Sequence, residues 1–199
     1  MADANLAAQP ASTGHVIPGS APGDGVTITE LQGIALATLQ ARRGQSEALR
    51  GRIADHYQLE LPQRPAIVRG TDVAVVGLAP QHWLALSSSD PSLTKTLKGL
   101  TAGLASVSDQ SGGYALFRVG GPAARSTLAK GFPIDLDPVA FGIGDAATTV
   151  VGHIGAGIWR VADDDGGGPV FEISVFRSLT NSFLDWFAIS AAEFGCRWR

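Results

Sequence analysis

The pattern of hydrophobic and polar residues predicts two successive blocks of short strands and amphipathic helices. The first block has the order β-α-β-β-α-β, and the second has the order β-α-β-β-β-α. In the first block we predict a strand at 35–41, whose Ala and Leu content also permits a helix, a helix at 46–57, strands at 71–77 and 82–87, a helix at 90–103 and a strand at 104–109. In the second we predict a strand at 113–119, a helix at 122–130, strands at 148–153, 157–162 and 170–176, and a helix from 178 to about 194.

Two pairs of segments resemble each other across the blocks. Residues 42–62 resemble residues 119–138, and Ser-Leu-Thr occurs at the start of two helices, at 92–94 and 178–180. These echoes predict an α+β fold of two ferredoxin-like split βαβ halves packed as one unit. Repeated capping chemistry is an alternative cause of such short echoes.

We expect three parts along the chain, namely a tail over 1–28, a first α+β half over 29–110 and a second over 111–199. The tail consists largely of Ala, Pro, Ser, Gly and Asp without apolar periodicity. Such a segment buries too little apolar area to offset its ordering entropy, so it is flexible alone or ordered by a partner.

The last predicted helix has an apolar surface much wider than the ~100° of an ordinary amphipathic helix. Ile189 even lies on its otherwise polar side. This width predicts burial from more than one side, either by a loop of the same chain or by a partner protein. Trp198, between Arg197 and Arg199, is of a residue type enriched at protein interfaces.

Composition narrows the classes of function. The chain has 199 residues, of which 45% are hydrophobic and only 17% charged, below the ~25% typical of soluble proteins. A net charge of -3 argues against nucleic acid or an anionic membrane as the main partner. Cys196 is the only cysteine, and no Lys or Arg precedes Arg42. With no secretory pattern and no long apolar run, we expect a cytoplasmic protein without an internal disulfide.

Residue types that carry chemistry are scattered along the chain. His15, His56, His82 and His153 do not have metal-ligand spacing, and Cys196 has no second cysteine. No G-x-S-x-G segment occurs, and a Cys196–His153 pair would require chance proximity. We therefore expect no catalytic, cofactor-binding or metal-binding residue in this chain.

Two glycine-containing segments resemble ligand loops only superficially. Asp-Asp-Asp-Gly-Gly-Gly at 163–168 lacks the alternating ligands and closing glutamate of a calcium loop, so we interpret it as a hairpin connection. Residues 141–147 contain G-x-G-x-x-A, but Asp137-Pro138 precedes them and β-branched residues follow. The strand and helix of a dinucleotide site are missing, and we predict a loop that enters a strand.

The most distinctive segment is DQSGGYALFRVGGPAARSTLAKGFPIDLDP at 109–138. It predicts a strand and then a helix with Pro122 at its first position and Gly131 as the left-handed residue beyond its end. With FGIGDAATTVVGHIGAGIWRV (141–161) and FEISVFRSLTNSFLDWF (171–187), it resembles the gamma-subunit family of heterotetrameric sarcosine oxidases. The resemblance covers most of 30–195 and includes LATLQARRGQ, LELPQRP and APQHWLALS, where Ala79-Pro80 replaces the usual Gly-Pro.

This resemblance implies a non-catalytic subunit of an alpha-beta-gamma-delta complex. Such complexes oxidise sarcosine to glycine, reduce oxygen to hydrogen peroxide, and yield formaldehyde or, with tetrahydrofolate, 5,10-methylenetetrahydrofolate. FAD and covalent FMN are then expected in or near the beta subunit, and NAD and folate in alpha. The gamma subunit would bind none of them and pack mainly against alpha. Its fold is related to the folate-binding domain of the glycine-cleavage aminomethyltransferase.

Two other functions stay open, the small subunit of a sister complex such as N-methylglutamate dehydrogenase and a free-standing folate-dependent aminomethyl-transfer protein. Folate-binding relatives grip the pterin with acidic residues, whereas the strand-Gly-Pro-helix region here offers Arg118, Arg125 and Lys130. Residues 130–133 also lack the Cys and Gln of the Lys-Gly-Cys-x-x-Gly-Gln motif of the related iron–sulfur-assembly folate protein. We therefore expect that the fold is kept and the folate site lost.

A convergence of acidic residues would favour the free-standing enzyme. The acidic residues in question are Asp109, Asp145 and Glu172. Their meeting in one pocket would supply the acidic group that a folate site needs.

Overall fold

The computed structural model describes residues 9–14, 25–163 and 168–198, and these build two sheets packed face to face with helices on the outer side of each. The strands are β1 Val26–Glu30, β2 Ala35–Ala41, β3 Ile67–Arg69, β4 Ala74–Ala79, β5 His82–Ser87, β6 Ala105–Asp109, β7 Tyr114–Gly120, β8 Ala146–Val151, β9 Ile154–Asp163, β10 Pro169–Phe176 and β11 Cys196–Trp198. The helices are α1 Ser46–Tyr57, α2 Leu93–Leu100, α3 Ala124–Ala129 and α4 Thr180–Ala191, with a 3₁₀ turn at Arg177–Leu179.

The first sheet confirms the predicted ferredoxin-like half. Its strand order is β3-β4-β5-β2-β6, and all its pairings are antiparallel. Strands β2, β4, β5 and β6 with α1 and α2 form the βαββαβ unit, and β3 extends its edge. Residues 35–41, for which a helix was also permitted, form the interior strand β2, and both of its faces are covered.

The second sheet contains the same unit with two additions. Its strand order is β11-β1-β7-β10-β9-β8, in which β7, β10, β9 and β11 with α3 and α4 form the ferredoxin-like half. Strand β8 adds an edge, and β1 is inserted between β11 and β7, parallel to the former and antiparallel to the latter. The echoed segments 42–62 and 119–138 thus include equivalent helices, α1 and α3.

Strand β1 includes residues that were predicted to belong to the N-terminal tail. It begins at Val26, inside the predicted 1–28 tail, and its Val26 and Ile28 side chains are fully buried in the core of the second half. Upstream, the backbone N–H groups of Ala11 and Ser12 donate to the Glu30 carboxylate at 2.7 and 3.0 Å. The boundary at residue 28 therefore falls within a strand, while the division into halves otherwise stays a prediction. Residues 1–8 and 15–24 of the predicted tail lie outside the described residues.

Three apolar clusters hold the layers together. One lies between α1, α2 and the first sheet, another between α3, α4 and the second sheet, and the third between the two sheets. The wide apolar surface of α4 is covered by its own chain, since Phe183 and Phe187 are fully buried against the second sheet and Trp186 packs against the same cluster. Ile189 is 78% exposed, so the predicted burial of α4 from more than one side does not extend to this position.

The Gly-Pro segment before α3 differs from its prediction. The helix begins at Ala124, so Pro122 precedes the first helical position, and the left-handed glycine is Gly121 (φ 112) rather than Gly131. Gly131 has another role, because a Cβ atom there would overlap the indole ring of Trp186. The absence of a side chain at 131 is what lets α4 approach the end of α3.

We predict that Gly131→Ala destabilises the folded chain by about 1–3 kcal/mol, because the added methyl group overpacks against Trp186. Gly99→Ala is the matched control. Gly99 lies within α2 with open space around its Cβ position, so this change should stabilise by roughly 0.5–1 kcal/mol. Chemical denaturation of the two variants measures both values, and equal effects would contradict the role of Gly131.

The insertion of β1 predicts that Ile28→Ala destabilises by about 2–5 kcal/mol, as expected for a buried isoleucine in a core. The same change at the exposed Ile189 should alter the free energy of unfolding by less than about 0.5 kcal/mol. Urea unfolding compares the two, and a negligible effect of Ile28→Ala would mean that β1 is not part of the folded core.

Candidate functional site

A buried carboxylate lies between the two sheets. Glu172 in β10 is aligned with Arg118 in β7 and with Trp159 in β9, so neighbouring strands place all three side chains on the face towards the first sheet. Arg69, at the end of β3, approaches from that first sheet. The Glu172 side chain is only 4% exposed.

Three side chains donate hydrogen bonds to the Glu172 carboxylate. Arg118 Nη2 donates to Oε1 at 2.6 Å, while Arg69 Nη2 and Trp159 Nε1 both donate to Oε2 at 2.7 Å. Burial alone raises the pKa of Glu172, but the arginines and the indole N–H outweigh it and hold that pKa below its ordinary value. The carboxyl group is therefore ionised at neutral pH, and one arginine from each sheet balances its negative charge.

A cavity of about 210 Å³ opens beside this cluster. Arg69, Arg118 and Glu172 line it, with apolar side chains including Leu31 and Leu116. The two arginine side chains are 48% and 51% exposed, so solvent reaches both of them. Among the described residues, this is the place where a buried carboxylate, two arginine side chains and an open cavity lie together.

The three carboxylates selected from the sequence do not converge. Asp145 accepts hydrogen bonds from Arg64 Nη1 at 2.5 Å and from the Gly142 N–H at 2.8 Å, and the Arg64 bond lowers its pKa. The Asp109 side chain accepts from the Ser111 N–H at 2.9 Å in the turn after β6. Neither lines the cavity at Glu172, so the convergence that would favour a free-standing enzyme is not found.

Of the basic residues in the strand-Gly-Pro-helix region, Arg118 alone lines this cavity. Arg125 Nε donates to the Leu136 carbonyl at 2.8 Å and fixes the segment after α3. Lys130 Nζ donates to the Ser190 carbonyl at 2.6 Å, pairs with Glu193 and lies over the Phe194 ring. Arg125 and Lys130 therefore fasten parts of the second half to each other.

The histidines and the cysteine occupy separate structural positions. His56 contacts the Tyr57 ring edge-on, and His153 lies in the β8–β9 turn with φ 73. Cys196 is buried in β11, and this burial raises the pKa of its thiol. His15 lies outside the described residues. Within the described ranges there is no group of three or more His, Cys, Asp or Glu side chains suited to a metal ion.

The glycine-containing segments adopt the connections predicted for them. Residues 142–145 form the turn that enters β8, with Gly144 at φ 90. Asp163 ends β9 and Pro169 begins β10, so the 163–168 segment joins two antiparallel strands, although residues 164–167 lie outside the described ones. In the described part of the chain, no helix is both long and apolar enough to cross a membrane.

Sequence reasoning did not identify the Glu172 cluster as a unit. Periodicity gave no signal for it, because Glu172 shares its face of β10 with the polar Ser174, opposite the apolar Phe171, Ile173 and Val175. Arg69 gave no signal either, since it ends a strand of three residues that the sequence pattern did not predict.

Comparison with protein families and curated relatives gives consistent results. The model of the sarcosine oxidase gamma subunit family matches residues 44–193. The sarcosine oxidase gamma subunit of Corynebacterium sp. (strain P-1) is 28% identical over 184 residues, which are 90% of this chain and 88% of the relative. The gamma subunit from Arthrobacter sp. is 30% identical over 153 residues, 75% of either chain.

Two solved structures share the fold. A chain of the heterotetrameric sarcosine oxidase from Corynebacterium sp. U-96, in complex with pyrrole 2-carboxylate, aligns with a TM-score of 0.80 and 25% identity, over 94% of this chain and 96% of that one. The glycine cleavage system aminomethyltransferase T from Bartonella henselae aligns with a TM-score of 0.57 and 13% identity, over 92% of this chain and 49% of that one. The second likeness concerns the fold alone.

The buried carboxylate generates a prediction about acid stability. The pKa of Glu172 is lower in the folded chain than the ordinary 4.5, so its ionised form stabilises the fold above about pH 4.5, and this contribution is lost as the pH falls through the folded value. Glu172→Gln should therefore destabilise by ~3 kcal/mol at pH 7. Its deficit relative to the unmodified chain should shrink below pH 4.5.

Denaturant titrations of both proteins between pH 3 and pH 7 measure this difference. Glu60→Gln is the matched control, since it makes the same substitution at an exposed side chain in the segment after α1. A Glu172→Gln deficit that stays constant across the range would mean that the ionised carboxylate does not stabilise the fold.

Proposed function

The chain belongs to the sarcosine oxidase gamma subunit family, and from this premise we propose that it is the gamma subunit of a heterotetrameric sarcosine oxidase. In this role it is a non-catalytic structural subunit of a complex that oxidises sarcosine to glycine, with hydrogen peroxide and formaldehyde or 5,10-methylenetetrahydrofolate as the other products. The observation that carries the proposal is the extent of the likeness to a chain of such an oxidase, over 94% of this chain and 96% of that one.

The proposed partners are the alpha, beta and delta subunits of the same oxidase, with alpha as the main contact, in the cytoplasm. FAD, FMN, NAD and tetrahydrofolate are proposed to lie in those subunits. A surface for partners is supported by exposed apolar side chains in the segment before β8, where Val139 is 97% and Ile143 60% exposed. Such side chains are better covered by another chain than left in water.

A folate site within this chain fits the described residues poorly. Three donors of this chain already occupy most of the acceptor sites of the Glu172 carboxylate, so little of it is left to grip a pterin ring. The adjoining cavity of about 210 Å³ is smaller than the roughly 300–1,000 Å³ of typical ligand pockets. These observations support a domain that keeps the fold of a folate enzyme and not its site, as fold and site evolve separately.

A second candidate is the small subunit of a sister complex that oxidises another N-methyl amino acid, such as N-methylglutamate, with another electron acceptor. This chain would have the same structural role there, so the partner subunits decide between the two complexes. Substrate and acceptor measured on the assembled complex separate them.

We predict that the native protein elutes in size-exclusion chromatography with one large, one intermediate and one small chain, together with bound flavin. This complex should form hydrogen peroxide when sarcosine and oxygen are supplied. Mass spectrometry of the fraction identifies the chains, and replacing sarcosine by N-methylglutamate provides the substrate control.

Two results would contradict the proposal in different ways. Oxidation of N-methylglutamate in place of sarcosine would assign the chain to the sister complex. Elution as a single species of the chain's own mass, with saturable tetrahydrofolate binding at micromolar concentration, would assign it to a free-standing folate protein.

A further inference from the structure

We propose that the cavity between Arg69 and Arg118 binds a small molecule that carries a carboxylate group on a short aliphatic chain. The two arginines come from different sheets and converge on one buried residue, Glu172. This inference does not depend on the proposed function, because it rests on the cavity and its charges alone.

The arginines retain donors for a ligand. A guanidinium group carries several N–H donors in a planar fork that matches a carboxylate. The bond to Glu172 uses Nη2 of each arginine, both arginines line the cavity, and about half of each side chain is exposed. A second carboxylate can therefore be bound beside Glu172 without breaking the bonds that Glu172 already has.

Glu172 holds the guanidinium groups in place before any ligand arrives. Its own position is fixed by burial and by the Trp159 Nε1 bond at 2.7 Å. Long arginine side chains normally lose conformational freedom on binding a ligand, and prior fixation lowers that cost. The cluster is therefore organised as a site, whereas two solitary surface arginines would not be.

The lining defines the class of ligand. Two arginines face one buried carboxylate, and the other acidic residue at the cavity, Asp72, is exposed, so solvent screens its charge. The apolar side chains of Leu31, Leu86 and Leu116 line the same space and suit a hydrocarbon segment. A volume of about 210 Å³ restricts the ligand to a short chain.

Isothermal titration calorimetry of the full chain with butyrate, at constant ionic strength, tests the proposal. We expect saturable binding of butyrate, weaker binding of inorganic phosphate, which lacks the aliphatic part, and none of neutral butyramide. Arg69→Lys and Arg118→Lys keep the charge but lose the fork, so each should weaken butyrate binding by at least about tenfold. Arg43→Lys, at an exposed position in the turn before α1, should leave it unchanged.

Arginine variants that lower only the melting temperature, or only assembly with partner subunits, without changing butyrate affinity would overturn the proposal. Absence of saturable butyrate binding to the unmodified chain, or phosphate binding as tightly as butyrate, would overturn it as well.

Discussion

The burial of one ionised carboxylate between two sheets constrains the rest of the structure. A charge removed from water is tolerated only when hydrogen bonds and opposite charges surround it. For Glu172 those partners are Trp159 and Arg118 on its own sheet and Arg69 on the other. The apolar layer between the sheets supplies the attraction, but sliding one sheet over the other would separate Arg69 from Glu172. The charged cluster therefore favours one relative position of the two halves.

A second constraint comes from the path of the chain. Strand β1 lies within the second sheet, between β11 and β7, whereas β2 follows it directly in sequence and lies in the first sheet, between β5 and β6. The few residues between 30 and 35 therefore connect a strand of the second half to a strand of the first. Strand β1 also pairs with β11, so residues 26–28 and 196–198 lie side by side in one sheet. The two similar halves behave as one structural unit for this reason.

A shared architecture does not decide the chemistry of the side chains between the sheets. The architecture is shared with an aminomethyltransferase at 13% identity, which is a likeness of shape. Between the sheets, however, the carboxylate that a folate-type site would require is already bonded to two arginines and an indole. What remains accessible is positive charge. The same layer arrangement can hence accompany different chemistry, or serve as a scaffold within a complex.

The sequence alone determined the features that the local periodicity of hydrophobic residues predicts. The bounds of α1, β2 and β5, the order of the predicted elements and the broad apolar surface of α4 followed from it, as did the family resemblance, but strands β1, β3 and β11 did not. Only the tertiary structure decided the insertion of β1, the contact of Gly131 with Trp186, and the meeting of Arg69 with Glu172 across 103 positions. The physical reason is that periodicity records whether a side chain faces the core, whereas partners distant in sequence are chosen by sheet pairing and layer packing.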